Sequence, residues 1–377
     1  MKLDRLNKHG GGAYFPAFLL FLYLTNKKQT DLKTLTNLLF ILAFFSFLGC
    51  SNQSSDNLAY DKSGPDTSAE TINYIPGYIK LHKSGELKKR GEELWERMKM
   101  CDICPRNCKV NRFEGIRGQC GANSDLEIAT YGPHFGEEYA FVGKGGTGRI
   151  FFTNCPMRCV FCLTHKISCE GSGEKYSIED LAEMMLSIQQ SGCSNICLVT
   201  PTHYIPHILL AIDIAAGKGL MLPIIYNTGG FENSEVLKYL DGVIDIYLTD
   251  FKYGCNEEAG KYSLGAFNYV DSTKKALLEM QRQVGTAKKD SKSGLWQKGL
   301  IIRHLIMPNN VSCSKEIIEW ISKNLPKETY ITIMITYEPL YNAKNYPAIN
   351  RNITKKEYMD VINAAKDAGL TNVHVYD

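Results

Sequence analysis

The stretch RIFFTNCPMRCVFC, Arg149–Cys162, joins the two signals that decide the architecture. Its first part, Arg149–Asn154, is a short run rich in Ile and Phe, as a buried strand requires. Its second part places Cys155, Cys159 and Cys162 directly after that strand. A closed tetrahedral zinc site takes four ligands and disulfides take pairs, so three thiols in one loop leave a ligand position open.

Five more strands of this kind are predicted at Asn195–Thr200, Pro223–Asn227, Ile244–Phe251, Gly299–Met307 and Tyr330–Tyr337. Helical patterns lie between or after them, over Ser177–Gln190, Tyr204–Lys218, Ser234–Leu240, Thr273–Gln283, Ser314–Asn324 and Thr354–Ala368. Ser177 with Glu179 and Asp180 behind it reads as an N-cap with an acidic first turn, and Gly192 stops that helix. Apolar strands alternating with helices indicate a parallel sheet buried on both faces. The expected fold is therefore α/β, a partial (β/α)6 TIM-like barrel with an N-terminal cysteine-rich lobe. Chemistry in such a barrel sits where the strands end.

The chain has 377 residues, 44% of them hydrophobic and 22% charged, which fits one or two globular domains with a sizeable core. A net charge of +3 gives no reason to expect nucleic acid as a partner. Seven of the thirteen cysteines fall between residues 101 and 162. A chain of this length needs no disulfide staples, so clustered thiols read as metal ligands. Cys169, Cys193, Cys197, Cys255 and Cys313 are scattered and read as packing residues.

Three segments follow from these patterns: a leader and polar linker over residues 1–73, a helix with a four-cysteine lobe over 74–124, and the barrel over 125–377. The apolar runs Ala13–Leu24 and Leu38–Leu48 have 12 and 11 residues, below the ~20 that a spanning helix needs. The second run, ending Phe47-Leu48-Gly49-Cys50, reads as a lipoprotein-like signal with Ser51–Asn57 as a tether. The alternative is an extension from an upstream start codon. In the lobe, Cys101, Cys104, Cys108 and Cys120 have the spacing of a second metal site, either zinc or an auxiliary iron–sulfur cluster.

For the three-cysteine loop the residues leave three readings open: an iron–sulfur cluster with one free iron, zinc completed by His165, or a cluster closed by Cys169 for electron transfer. Cys-x3-Cys-x-aromatic-Cys after a first barrel strand resembles the signature of the radical S-adenosylmethionine (radical SAM) superfamily. The chain from residue 74 onward is similar to an uncharacterised subgroup of pyruvate formate-lyase-activating-enzyme homologues. Three motifs carry that likeness: Tyr226-Asn227-Thr228-Gly229-Gly230, Leu248-Thr249-Asp250-Phe251-Lys252 and Ile302-Arg303-His304 with Pro308.

The resemblance implies a [4Fe-4S] cluster on Cys155, Cys159 and Cys162, with S-adenosylmethionine on the open iron. It implies Phe161 beside the adenine, and Asn227, Thr228, Asp250, Lys252, Arg303 and His304 around the rest of the cofactor. Alternation along a strand puts Asp250 and Lys252 on one face. Where activating enzymes carry Gly-Gly-Glu-Pro, this chain has Thr200-Pro201-Thr202-His203, so Thr200, Thr202 and His203 supply acceptors but no carboxylate. The implied activity is reductive cleavage of the cofactor to a 5′-deoxyadenosyl radical, by an activating-enzyme-like oxidoreductase. Its implied partners are a flavodoxin- or ferredoxin-like reductant and a glycyl-radical enzyme. Such chemistry points to a cytoplasmic catalytic domain, with a membrane tether if Cys50 is processed.

Overall fold

The computed structural model describes residues 74–376. The leader, the signal ending at Cys50 and the linker, residues 1–73, lie outside the described residues. No helix among the described residues is long and apolar enough to cross a membrane.

Among the described residues ten strands are formed: β1 Leu126–His134, β2 Thr147–Phe152, β3 Glu174–Tyr176, β4 Ile196–Val199, β5 Ile224–Thr228, β6 Ile246–Asp250, β7 Lys288–Lys289, β8 Trp296–Leu305, β9 Tyr330–Met334 and β10 Val373–Tyr376. Their order across the sheet is β10-β9-β8-β6-β5-β4-β2-β1-β3, with β7 beside β8. All pairs from β2 through β10 along this path are parallel, whereas β1 pairs antiparallel with both β2 and β3. The result is an open α/β sheet, a partial barrel. The six expected strands became β2, β4, β5, β6, β8 and β9. A seventh parallel strand, β10, was not expected, because four residues at the chain's end carry too little pattern. Gly132 and Pro133 disguised β1 in the same way.

The main helices are α1 Glu86–Glu96, α2 Ile178–Gln190, α3 Ile205–Gly217, α4 Tyr269–Val284, α5 Ser314–Asn324 and α6 Lys355–Asp367. Ser177 and Asp180 form a reciprocal capping box at α2, as the sequence leads one to expect, and Thr354 with Glu357 does so at α6. Helix α1 lies against α3. A Cβ on Gly91 would come 2.7 Å from Leu210 Cδ2, so only glycine permits that approach.

Along the central parallel strands the register sorts side chains between two environments. On the helix side, Ile150, Leu198, Tyr226, Tyr247, Ile302 and Ile333 are fully buried in the main core. On the lumen side, Cys197, Ile225, Ile246, Leu248, Ile301 and Tyr330 join Phe141 and Trp296 in a separate apolar plug. The plug fills one level of the lumen and leaves space at another.

The N-terminal lobe is fastened to the barrel by Arg112, which is 0% exposed. Its Nε and Nη2 donate to the Asn123 carbonyl at 2.8 and 2.5 Å, and its Nη1 donates to the His203 carbonyl at 2.8 Å. A guanidinium buried this deeply is tolerable only when carbonyl oxygens take its N–H groups.

One expectation about cysteines is corrected. Cys255 and Cys313 are not packing residues; they form a disulfide, with Cα atoms 5.9 Å apart and 58 residues between them in sequence. The physical reason is topological. Cys255 follows β6 and Cys313 follows β8, and because those strands are neighbours their outgoing loops meet at one rim. Mass spectrometry of the denatured, unreduced chain is expected to find the Cys255 and Cys313 peptides joined. Loop-closure entropy sets the loss on Cys313→Ser at up to about 4 kcal/mol, read from urea unfolding.

Candidate active site

A cavity of about 660 Å3 opens above the plug, and Cys159, Phe161 and Cys162 form one end of it. The loop that presents them is shaped by Asn154 and Arg158, both with left-handed backbone (φ 68° and 45°). Arg158 Nη2 donates to the Cys169 carbonyl at 2.6 Å and fixes the turn. The Cys155 N–H donates to the Cys120 carbonyl at 3.1 Å, so the loop and the four-cysteine lobe are joined through their backbones.

The three thiols differ. Burial, then the neighbouring Cys159, pushes Cys155 up to about 12. Burial pushes Cys159 up to about 11, against the pull of the Lys252 ammonium and of Ser263, whose Oγ–H donates at 3.0 Å. Cys162 is held down to about 5, first by the Cys169 thiol beside it and then by Ser168, whose Oγ lies 2.9 Å away. Cys169 moves up in turn because its proton serves Cys162. Among the described residues no three His, Cys, Asp or Glu side chains close round a single ion. Cys159 and Cys162 act on the charge of Cys155, and Cys162 on that of Cys159.

Zinc completed by His165 fits less well: the His165 ring is stacked on Tyr341, 4.5 Å between centroids. Phe161 is 6% exposed and held edge-on by Tyr253 and Tyr337.

Lumen-facing positions supply the polar wall. Asn227, Asp250, Lys252 and Arg303 all line the cavity. Asp250 and Lys252 form an ion pair there, with side chains 24% and 17% exposed. Burial pulls Lys252 down, but Asp250 and then Cys159 outweigh it, so the ammonium is held above its ordinary range.

The other expected cofactor contacts lie elsewhere. Thr228 and His304 stand next to Asn227 and Arg303 in sequence, and period-two alternation turns them to the helix side. His304 is 0% exposed; its Nδ1–H donates to the Phe251 carbonyl at 2.7 Å and its Nε2 accepts from Ser314 Oγ at 2.8 Å. Burial lowers it to about 4, so it stays a neutral core histidine. His203 is likewise buried, bonded to the Thr153 carbonyl at 2.8 Å and lowered to about 3 by burial. Thr200 sits at the end of β4 with φ 58° and does not line the cavity.

Thr202 reveals a residue the sequence did not suggest. Its hydroxyl donates at 2.6 Å to Glu232, which also accepts from Thr228 and from Tyr226 Oη at 3.1 Å. Glu232 is 1% exposed. Glu232 lies in the loop after the third parallel strand, on the helix side and outside the cavity lining, so it does not stand in for the carboxylate missing after the second. No local spacing announces it, because Thr202 and Glu232 are thirty residues apart. Arg149 and Glu137 also line the cavity unforeseen. A charged residue inside a buried parallel strand was the available signal for Arg149.

In the lobe, burial raises Cys101, Cys104 and Cys120 above the usual thiol range. A Cβ on Gly118 would lie 3.1 Å from Cys108 Sγ and 3.5 Å from Cys120 Sγ, so glycine keeps a cradle open at those two sulfurs. Between lobe and loop sits Arg106. It donates to the Pro156, Leu264 and Ser263 carbonyls at 2.8, 2.6 and 3.0 Å, and the thiols of Cys104, Cys155, Cys159 and Cys120 bear on its charge.

Glu232 makes a pH prediction. Burial raises it to about 7 despite its three hydroxyl donors. The folded chain then keeps a proton that the unfolded chain has lost above its ordinary carboxyl range. Stability should fall as pH rises from about 4.5 to about 7, by up to about 3 kcal/mol, and level off above. Urea unfolding of Glu232→Gln at pH 5 and pH 8 is expected to show a smaller fall. Buried Asp245, also raised to about 7 by burial, leaves a residual slope in the same sense.

No family model matches the chain. Among solved structures it is similar to the FeFe-hydrogenase maturase HydG from Carboxydothermus hydrogenoformans, with TM-score 0.39, 14% identity and 79% of this chain covered; it spans 64% of that maturase chain. Methylornithine synthase (PylB) is similar at TM-score 0.37 and 14% identity, over 79% of this chain and 85% of that one. Scores of this size carry no weight for function. In sequence the chain is 32% identical over 286 residues, 73% of its own length and 77% of the relative's, to the uncharacterized protein MJ0674 of Methanocaldococcus jannaschii, and it belongs to that protein's family.

Proposed function

We propose that the chain is a radical S-adenosylmethionine enzyme, with Cys155, Cys159 and Cys162 holding a [4Fe-4S] cluster and the adjoining cavity holding the cofactor. One observation carries this reading: two of the thiols and the Asp250–Lys252 ion pair line a single cavity. When bound, cluster and cofactor would supply one-electron chemistry, reductive cleavage of S-adenosylmethionine and hydrogen abstraction from a substrate.

The chain's own residues have separable tasks. Lys252 suits a carboxylate, and Asp250 suits an ammonium or a ribose hydroxyl. Asn227 offers an amide to either side of the same zwitterion. Phe161, held by two tyrosine rings, offers an apolar face to a purine. Ser263 fixes Cys159 by its hydrogen bond, and the plug beneath keeps water from the inner lumen. In the lobe, Cys101, Cys104, Cys108 and Cys120 would hold a second metal, zinc or iron–sulfur. A flavodoxin- or ferredoxin-like reductant supplies the electron, and a glycine of a glycyl-radical enzyme is the acceptor that the resemblance implies.

A second reading has its own observation. Cys169 lies beside Cys162 and could close the cluster for electron transfer alone.

Anaerobic reconstitution separates the two. The wild type should bind about four irons at this site and release 5′-deoxyadenosine from S-adenosylmethionine under dithionite. Cys159→Ala should lose both properties, and Cys169→Ala should keep both. No 5′-deoxyadenosine from the wild type, with iron lost or cleavage gained in Cys169→Ala, would favour the closed cluster. Asp250→Asn is expected to weaken S-adenosylmethionine binding about tenfold or more, while His304→Gln lowers stability and leaves binding within about twofold.

A further inference from the structure

The inner end of the cavity holds charges that the proposed cofactor site does not use. Arg149 projects from β2 and Arg303 from β8, both on the lumen face, and Glu137 bridges them, with its second oxygen 2.6 Å from Arg303 Nη2. Their side chains are only 16%, 13% and 12% exposed. Each guanidinium also lies over a phenyl ring, Arg149 over Phe151 at 5.6 Å and Arg303 over Phe141 at 5.7 Å. Stacking and the shared carboxylate fix both planar forks before any ligand arrives.

Two guanidinia share the one Glu137 carboxylate. Among the described residues Asp250 is engaged by Lys252, Glu138 accepts from Tyr330 Oη at 3.3 Å, and Glu338 lines the same cavity but is exposed. Arg149 Nε is buried without a hydrogen-bond partner, which is costly unless a ligand accepts from it. A neutral donor stands with it. Thr332 is the register partner of Arg303, lines the cavity, is 2% exposed, and its hydroxyl has no hydrogen-bond partner.

We infer that Arg149, Arg303 and Thr332 form a binding site for the carboxylate of a small organic acid. The choice of a carboxylate follows from Glu137, which shows the two guanidinia already gripping that group. That the bound acid is the hydrogen donor rests on the proposed radical function; the anion site itself does not. It places the substrate's acid group at the inner end, with the rest of the molecule extending toward the cysteines. This also favours a small molecule over a protein's glycine as acceptor.

The test is calorimetric titration of the full, anaerobically reconstituted chain with succinate, with succinamide and inorganic phosphate as comparison ligands. Succinate should bind, and succinamide should not. Arg149→Gln should weaken succinate about tenfold or more and leave S-adenosylmethionine binding within about twofold. Glu137→Gln, which removes the internal competitor, should tighten succinate several-fold; this opposite direction separates a charge effect from damage to the fold. No succinate binding by the wild type, equal binding by Arg149→Gln, or phosphate binding as tight as succinate would overturn the inference. Succinate binding without S-adenosylmethionine binding would instead defeat the proposed function and leave this site standing.

Discussion

Alternation along parallel strands governs everything else in this molecule. Along the central strands β2, β4, β5, β6 and β9 both faces of the sheet are covered, so a residue there lies in a helix-side core or a barrel lumen, and neither is bulk water. Apolar residues satisfy both. A charged residue is tolerable only in the lumen, and only where another group meets it. Arg149, Asp250 and Arg303 share that parity, each finds an ionic partner, and together they keep a polar cavity open above the apolar plug. The strands beneath are held by buried apolar side chains such as Ile225, Ile246 and Ile301.

The same constraint explains the buried polar groups on the other face. Glu232 has no access to the lumen, so three hydroxyls surround it and burial holds its proton. His304 and His203 are neutral for the same reason. These are structural networks, and they tie the ends of the strands to the loops that follow them. The Cys255–Cys313 disulfide does the equivalent covalently for the loops after β6 and β8. Together these links fix the rim on which Lys252 and the cysteine loop depend.

The lobe is not a separate attachment. Arg112 carries its charge into the barrel's carbonyls, Cys155 and Cys120 share a backbone hydrogen bond, and Arg106 lies where thiols of both sets act on it. Two groups of thiols are therefore held by one continuous hydrogen-bonded framework, with a fixed positive charge between them. In low-dielectric surroundings such a charge stabilises thiolates on both sides.

Much of this was legible from local pattern. The cysteine spacing, the ends of α2, and the shared face of Asp250 and Lys252 depend only on residues a few positions apart, whose geometry is set by backbone period. The resemblance named neighbours together as cofactor contacts, Asn227 with Thr228 and Arg303 with His304, though alternation lets only one of each pair line the cavity. The sequence by itself determined which segments are strands and helices, and which loop carries three thiols, because period and composition act locally. Only the tertiary structure decided that Glu232 answers Thr202, that Cys255 meets Cys313, and that Glu137 bridges Arg149 and Arg303. Those contacts join residues 12 to 166 positions apart, and chain closure, not local preference, brings them together.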